Sequence, residues 1–101
     1  MSLSQYGLYF KDEWGGVGKY TGEGVCGVPH GQGVVKYICG GATYVGAFEN
    51  GKTHGQGIYT DTHQKYVGAY KNGKRNGKGT QTLADGSVRH SGLWKDGMPV
   101  R

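Results

Sequence analysis

The chain lacks most of what common folds are built from. No run of about 18 apolar residues occurs in its 101 residues, so no membrane-spanning helix is expected. No charged-then-apolar segment opens the chain, so no secretory signal is expected. Two prolines against 22 glycines, with no three-residue period, exclude collagen. Only two cysteines are present, Cys26 and Cys39. They fall at opposite ends of one expected hairpin, about six residues and roughly 20 Å apart. A disulfide spans only ~4.4–6.8 Å between Cα atoms, so both are read as free thiols in a reducing compartment. With no CxxC and no matching histidine spacing, no metal and no cofactor are expected. Acids are scarce, 7 against 12 Lys and Arg. Residues 1–50 carry 3 Lys and 4 acids, net −1, and residues 51–101 carry 9 Lys/Arg and 3 acids, net +6. An anionic partner would be sought on the C-terminal half. No segment sustains a 3.6-residue apolar period, so no long helix is expected.

Glycine is abundant, and it is in register. "YTGEGVCGVPHGQGVVK" (Tyr20–Lys36), "YVGAFENGKTHGQGIYT" (Tyr44–Thr60) and "YVGAYKNGKRNGKGTQT" (Tyr66–Thr82) overlay, and "HSGLWKDGMPVR" from His90 repeats the first half. The leading residues Tyr20, Tyr44, Tyr66 and His90 are spaced by 24, 22 and 24. Gly22, Gly46, Gly68 and Gly92 keep the same spacing, as do Gly27, Gly51, Gly73 and Gly97. Gly31, Gly55, Gly77 and Gly33, Gly57, Gly79 make two further rows; Gly40 and Gly86 make a last one, where Gln64 stands in the shorter middle repeat. A period of this length means a repeat architecture.

Glycine weakens a strand, yet these stretches read as strands. Side chains alternate faces, so Tyr44, Gly46 and Phe48 share one face with Gly55, Gly57 and Tyr59 of the return strand. A ring is too large to repeat on every strand at ~4.8 Å spacing. A glycine beside each ring leaves a slot in which it lies flat. Ring contacts worth ~0.5–1.5 kcal/mol per pair then offset the ~0.5–1 kcal/mol cost of each glycine. Asn50-Gly51, Asn72-Gly73 and Asp96-Gly97 are strong hairpin turns, and Asp85-Gly86 does the same between hairpins. The expected fold is all-β: an elongated single-layer antiparallel meander of about eight strands, one hairpin per ~23-residue repeat. Residues 1–101 form one domain, divided as half repeat 8–19, repeats 20–43, 44–65 and 66–89, and half repeat 90–101. Leu8–Trp14 is read as the return strand of the first half repeat.

The pattern YxGxFxxGKxHGxGxYT resembles the MORN repeat (membrane occupation and recognition nexus), over roughly Tyr20–Pro99. Gly24 departs from the aromatic row Phe48, Tyr70 and Trp94, and His90 departs from the leading tyrosines. The resemblance implies a non-catalytic scaffold or protein-interaction module, cytoplasmic, with a cytoskeletal or peripheral membrane association. MORN repeats are also found attached to enzymes, but no catalytic domain is read here.

Other motifs carry less. "GEGVCG" (Gly22–Gly27) spells GxGxxG, but a strand follows it where a dinucleotide site needs a helix. "GKRNGKGT" (Gly73–Thr80) has three residues between glycines where a phosphate loop has four, and Gly79 splits Lys78 from Thr80. His30 and His54 sit in register about 10 Å apart with no acid or cysteine to complete a metal site, and are read as turn histidines bonding local backbone. The seven acids are scattered, so no enzyme is expected. No RNA-binding signature appears, and nucleic acid is not expected.

Two binding surfaces remain. The aromatic face, Tyr44, Phe48, Tyr66, Tyr70 and Trp94 with Tyr20 and Tyr59, would lie uncovered on a one-layer sheet and take a helix or peptide of a protein partner. The alternative reading is that the rings cover one another. The basic turn edge, Lys71, Lys74, Arg75 and Lys78, would instead meet an anionic phospholipid or phosphoinositide surface. The half repeats at the two ends are complementary, which suggests an end-to-end homo-oligomer.

Overall fold

The structure, a computed structural model, describes residues 4–12 and 16–100. Nine strands make one sheet in chain order: β1 (Ser4–Lys11), β2 (Val17–Val25), β3 (Val28–Tyr37), β4 (Thr43–Glu49), β5 (Lys52–Thr60), β6 (Gln64–Lys71), β7 (Lys74–Leu83), β8 (Val88–Lys95) and β9 (Met98–Pro99). Every neighbouring pair is antiparallel. This is the expected single-layer meander, with a ninth strand of two residues at its end. The molecule measures 40 × 25 × 19 Å, and its long dimension matches nine strands stacked at ~4.8 Å. β1 begins at Ser4, earlier than expected, and ends at Lys11. Trp14 lies outside the described residues.

The hairpin turns follow the sequence. Asn50, Asn72 and Asp96 all take positive φ near 50°, each followed by a positive-φ glycine. This left-handed pair matches the twist of the flanking strands. Cys26 occupies the same place in the first hairpin at φ 52°. Asp85-Gly86 differs. Only Gly86 is left-handed there, and its N–H bonds back to the Leu83 carbonyl at 2.9 Å.

Register turns the glycine rows into a lane. Gly22, Gly33, Gly46, Gly57, Gly68, Gly79 and Gly92 are successive cross-strand partners from β2 to β8. The rings of Tyr20, Tyr44 and Tyr66 lie flat on Gly33, Gly57 and Gly79, where a Cβ would collide with them. Each of these first strands carries a bulge next to the lane, between Gly22 and Gly24, Gly46 and Phe48, and Gly68 and Tyr70. A bulge leaves backbone groups out of the ladder. The tyrosine hydroxyl fills the gap by donating to the bulged carbonyl: Tyr44 to Ala47 at 2.9 Å, Tyr66 to Ala69 at 2.8 Å, and Tyr20 to Glu23 likewise. His90 repeats the contact, its ring Nε2–H donating to the Leu93 carbonyl at 3.0 Å. The departure from tyrosine therefore keeps the hydrogen bond.

The other departure is also compensated. β1 takes the place of a return strand, with Leu8 opposite Tyr20 as Val35 is opposite Tyr44. It carries Tyr6 where β3 has Gly33, and the Tyr6 ring lies over Gly24, the position without an aromatic of its own.

Candidate functional site

The rings pack edge to face in one unbroken series. Tyr20, Phe48, Tyr44, Tyr70, Tyr66 and Trp94 follow one another at centroid separations of 4.8–5.3 Å, and His90 closes the series on Trp94 at 5.3 Å. This is the favoured T-shaped geometry for aromatic quadrupoles. The consequence falls on the expected binding face. Tyr44 (1% exposed), Phe48 (3%), Tyr66 (0%) and Trp94 (3%) have almost no surface left for a partner. The rings cover one another because each lies flat on glycine instead of standing upright. Of the five residues, only Tyr70 is half-buried. Burial raises the phenol pKa of Tyr44, and pushes that of Tyr70 up to about 12 despite the opposing charge of Arg75.

An open part of the same face remains at the C-terminal half. It is an open cleft of about 400 Å³ lined by Tyr59, Tyr70 and Trp94, by Gln64 and Gln81, and by Met98 and Pro99. Arg75 and Arg89 both line it. The Arg75 guanidinium stands 4.4 Å from the Tyr66 ring centroid, 5.2 Å from Trp94 and 5.7 Å from Tyr59. Its Nη2 donates to Gln64 Oε1 at 3.1 Å. Gln81 Nε2 donates to that same oxygen at 2.5 Å, and Arg89 Nη1 donates to Gln81 Oε1 at 3.4 Å. Asp12 stands across the cleft, receiving the Gly16 N–H at 2.7 Å and the Tyr37 hydroxyl.

The sequence reading placed Arg75 on the basic turn edge with Lys71, Lys74 and Lys78. The structure separates it from them. Arg75 is the register partner of Tyr70, and it turns inward with that ring. Lys71 and Lys74 are register partners of each other and point to the opposite face. Lys78, two positions before Thr80 on that face, is exposed like Lys71, while Lys74 is half-buried. Gln64, Gln81 and Arg89 were not singled out from sequence. A signal for the first two was present: Gln64 stands where Gly18 and Ala42 precede the leading tyrosines, and Gln81 stands where Val35 and Tyr59 line the other return strands.

The minor motifs resolve into repeat structure. Gly22–Gly27 lies in β2 and its turn, and Gly73–Thr80 in a turn and β7. His30 and His54 do bond backbone, but that of the next hairpin: their Nδ1 atoms accept from Asn50 N–H at 3.4 Å and Asn72 N–H at 3.3 Å. Glu49 lies 3.3 Å from His54 Nε2. Cys26 and Cys39 are free and exposed. Among the described residues no three His, Cys, Asp or Glu gather as metal ligands, and no helix is long and apolar enough to cross a membrane.

A hairpin every repeat, a glycine lane and a tyrosine laid across it define a β-hairpin repeat array. Comparison with family models gives its membership. The MORN repeat matches at residues 20–38, 44–62 and 66–88, well over half of the chain, and the chain belongs to that family. MORN repeats are generally protein- or membrane-interaction modules and typically non-catalytic. A search among curated proteins found no match.

Proposed function

We propose that this chain is a non-catalytic interaction module that holds a segment of a partner protein in the cleft of its ring-bearing face. One observation carries the reading. The aromatic face is buried at Tyr20, Tyr44, Phe48, Tyr66 and Trp94, yet the half-buried Tyr59 and Tyr70 line a cleft of about 400 Å³ beside them. That volume suits a few side chains of a peptide or helix. The test uses paired baits in affinity capture. A partner held in the cleft is retained by the wild type and by Val45→Glu on the opposite face, and lost from Tyr70→Ala. A partner lost from Val45→Glu and kept by Tyr70→Ala would place binding on the other side.

A second reading is favoured by the lysines. Lys71 faces Lys74, and Lys19 faces Lys36, on the side of the sheet away from the rings. Like charges directly opposite are unfavourable unless an anion lies against them. An anionic membrane surface would supply it at ~1 kcal/mol per cation. Co-sedimentation with phosphoinositide vesicles at low and physiological salt separates the two readings. Lipid binding through Lys71, Lys74 and Lys78 falls steeply with salt, and it survives Tyr70→Ala.

A further inference from the structure

The cleft collects the places where the repeat rule is broken. In the first two repeats the positions equivalent to Arg75 are Pro29 and Thr53, both buried. The equivalents of Gln64 are small and those of Gln81 are apolar, as described above. Three substitutions of polar for apolar or small residues, on strands β6 and β7, meet at one point and are joined there by Arg89 of β8. They form one connected chain, Arg89–Gln81–Gln64–Arg75, through hydrogen bonds of 3.4, 2.5 and 3.1 Å.

The chain is electrically one-sided. Both ends are guanidiniums and both middle members are neutral amides. The amide oxygens are already used as acceptors within it. Among the described residues no carboxylate forms an ion pair with Arg75 or Arg89. A guanidinium has five N–H donors in a planar fork. Arg75 spends one on Gln64 and one contact on the Tyr70 hydroxyl, and its π faces are taken by rings. Arg89 spends one, at 3.4 Å, and is itself exposed. The network therefore fixes the Arg75 guanidinium among rings and amides, with the exposed Arg89 tethered to it at 3.4 Å beside the aromatic cleft and donors to spare on both. Gln81, only 3% exposed, cannot move aside to accept more.

We propose that the space between Arg75 and Arg89 is a subsite for a side-chain carboxylate of the bound polypeptide. The proposal rests on the cleft reading of function and adds the chemistry that the cleft selects. A carboxylate matches the guanidinium fork with two parallel hydrogen bonds. Its aliphatic stem lies against Met98 and Pro99, which line the same space.

The test pans a library of random displayed peptides on the intact 101-residue chain. Their C-termini are fused to the carrier, so that only side-chain carboxylates are offered. Binders with a Glu or Asp next to an apolar or aromatic residue are expected. Changing that acid to its amide should weaken binding about tenfold on the wild type and leave it unchanged on Arg89→Gln. Arg89 is exposed, so this variant is expected to fold, and Arg75→Lys gives a second check that retains charge but loses the fork. Binders that require Tyr70 but tolerate loss of the acid would overturn the carboxylate subsite and leave the cleft reading standing. Binders indifferent to Tyr70→Ala, or no binders at all, would overturn both.

Discussion

The glycines that line the sheet are not interchangeable, and space decides between them. Gly57 has no room, because a Cβ there would enter the Tyr44 ring. Gly7 on β1 has nothing within 4 Å of a built Cβ, and no unusual φ. Gly57→Ala should therefore destabilise by about 1–3 kcal/mol, the usual penalty of overpacking. Gly7→Ala should be neutral or stabilise by up to about 1 kcal/mol, through the unfolded chain alone. Chemical denaturation of the two variants side by side checks the pair. Cys26 makes the opposite case. It sits left-handed at φ 52°, in a place its sister turns give to Asn or Asp. A residue with an ordinary Cβ carries strain there that asparagine tolerates. Cys26→Asn should raise stability by about 1 kcal/mol, seen as a rise in Tm of roughly 4–8 °C for a domain of this size.

At the scale of strands and hairpins, much was legible because each repeat states the same rule again. The Asn-Gly and Asp-Gly turns and the alternation of Tyr44, Gly46 and Phe48 fixed the hairpins and their faces. The slot of Gly57 for the ring of Tyr44 followed from the shared face. What the pattern did not show was the merging of two glycine rows into one lane, since that depends on cross-strand register, Gly46 with both Gly33 and Gly57. Nor did it show the degree of burial. An aromatic row on a one-layer sheet reads equally as exposed or self-covering until the ring tilt is known. Arg75 was misplaced for a related reason. Its neighbours in sequence are turn lysines, but one step along a strand reverses the face. The histidine clasps, too, join hairpins that periodicity alone leaves independent. His54→Ala should remove the acceptor for Asn72 N–H. Amide exchange at Asn72 should quicken, with a loss of about 0.5–1.5 kcal/mol in local opening. An unchanged Asn72 amide would mean that the clasp carries nothing.

Over the whole molecule, a sheet one layer thick has to build its core on a single face. Tyr20, Tyr44 and Tyr66 do so by lying on glycine and bonding to bulged carbonyls, and Phe10, Phe48 and Val35 fill between them. The opposite face keeps Val45, Ile58 and Val67 40–46% exposed. The proposed interaction surfaces are the cleft at Tyr59 and Tyr70 and the lysine-bearing face. The central claim is that the tyrosine face is the interior. Burial, as its largest cause, raises the phenol pKa of Tyr20, Tyr37, Tyr44, Tyr59, Tyr66 and Tyr70 above 10.0, to about 12 for Tyr59 and Tyr70. A pKa raised by folding contributes stability that is full below the unfolded value and lost as pH rises through the folded one. The most direct measurement is an alkaline titration of the unmodified protein, following tyrosinate absorbance and the circular dichroism of the sheet together. The account predicts that most tyrosinate appears only well above pH 10, in step with loss of the sheet. Ionisation of all eight tyrosines near pH 10 with the sheet intact would contradict it.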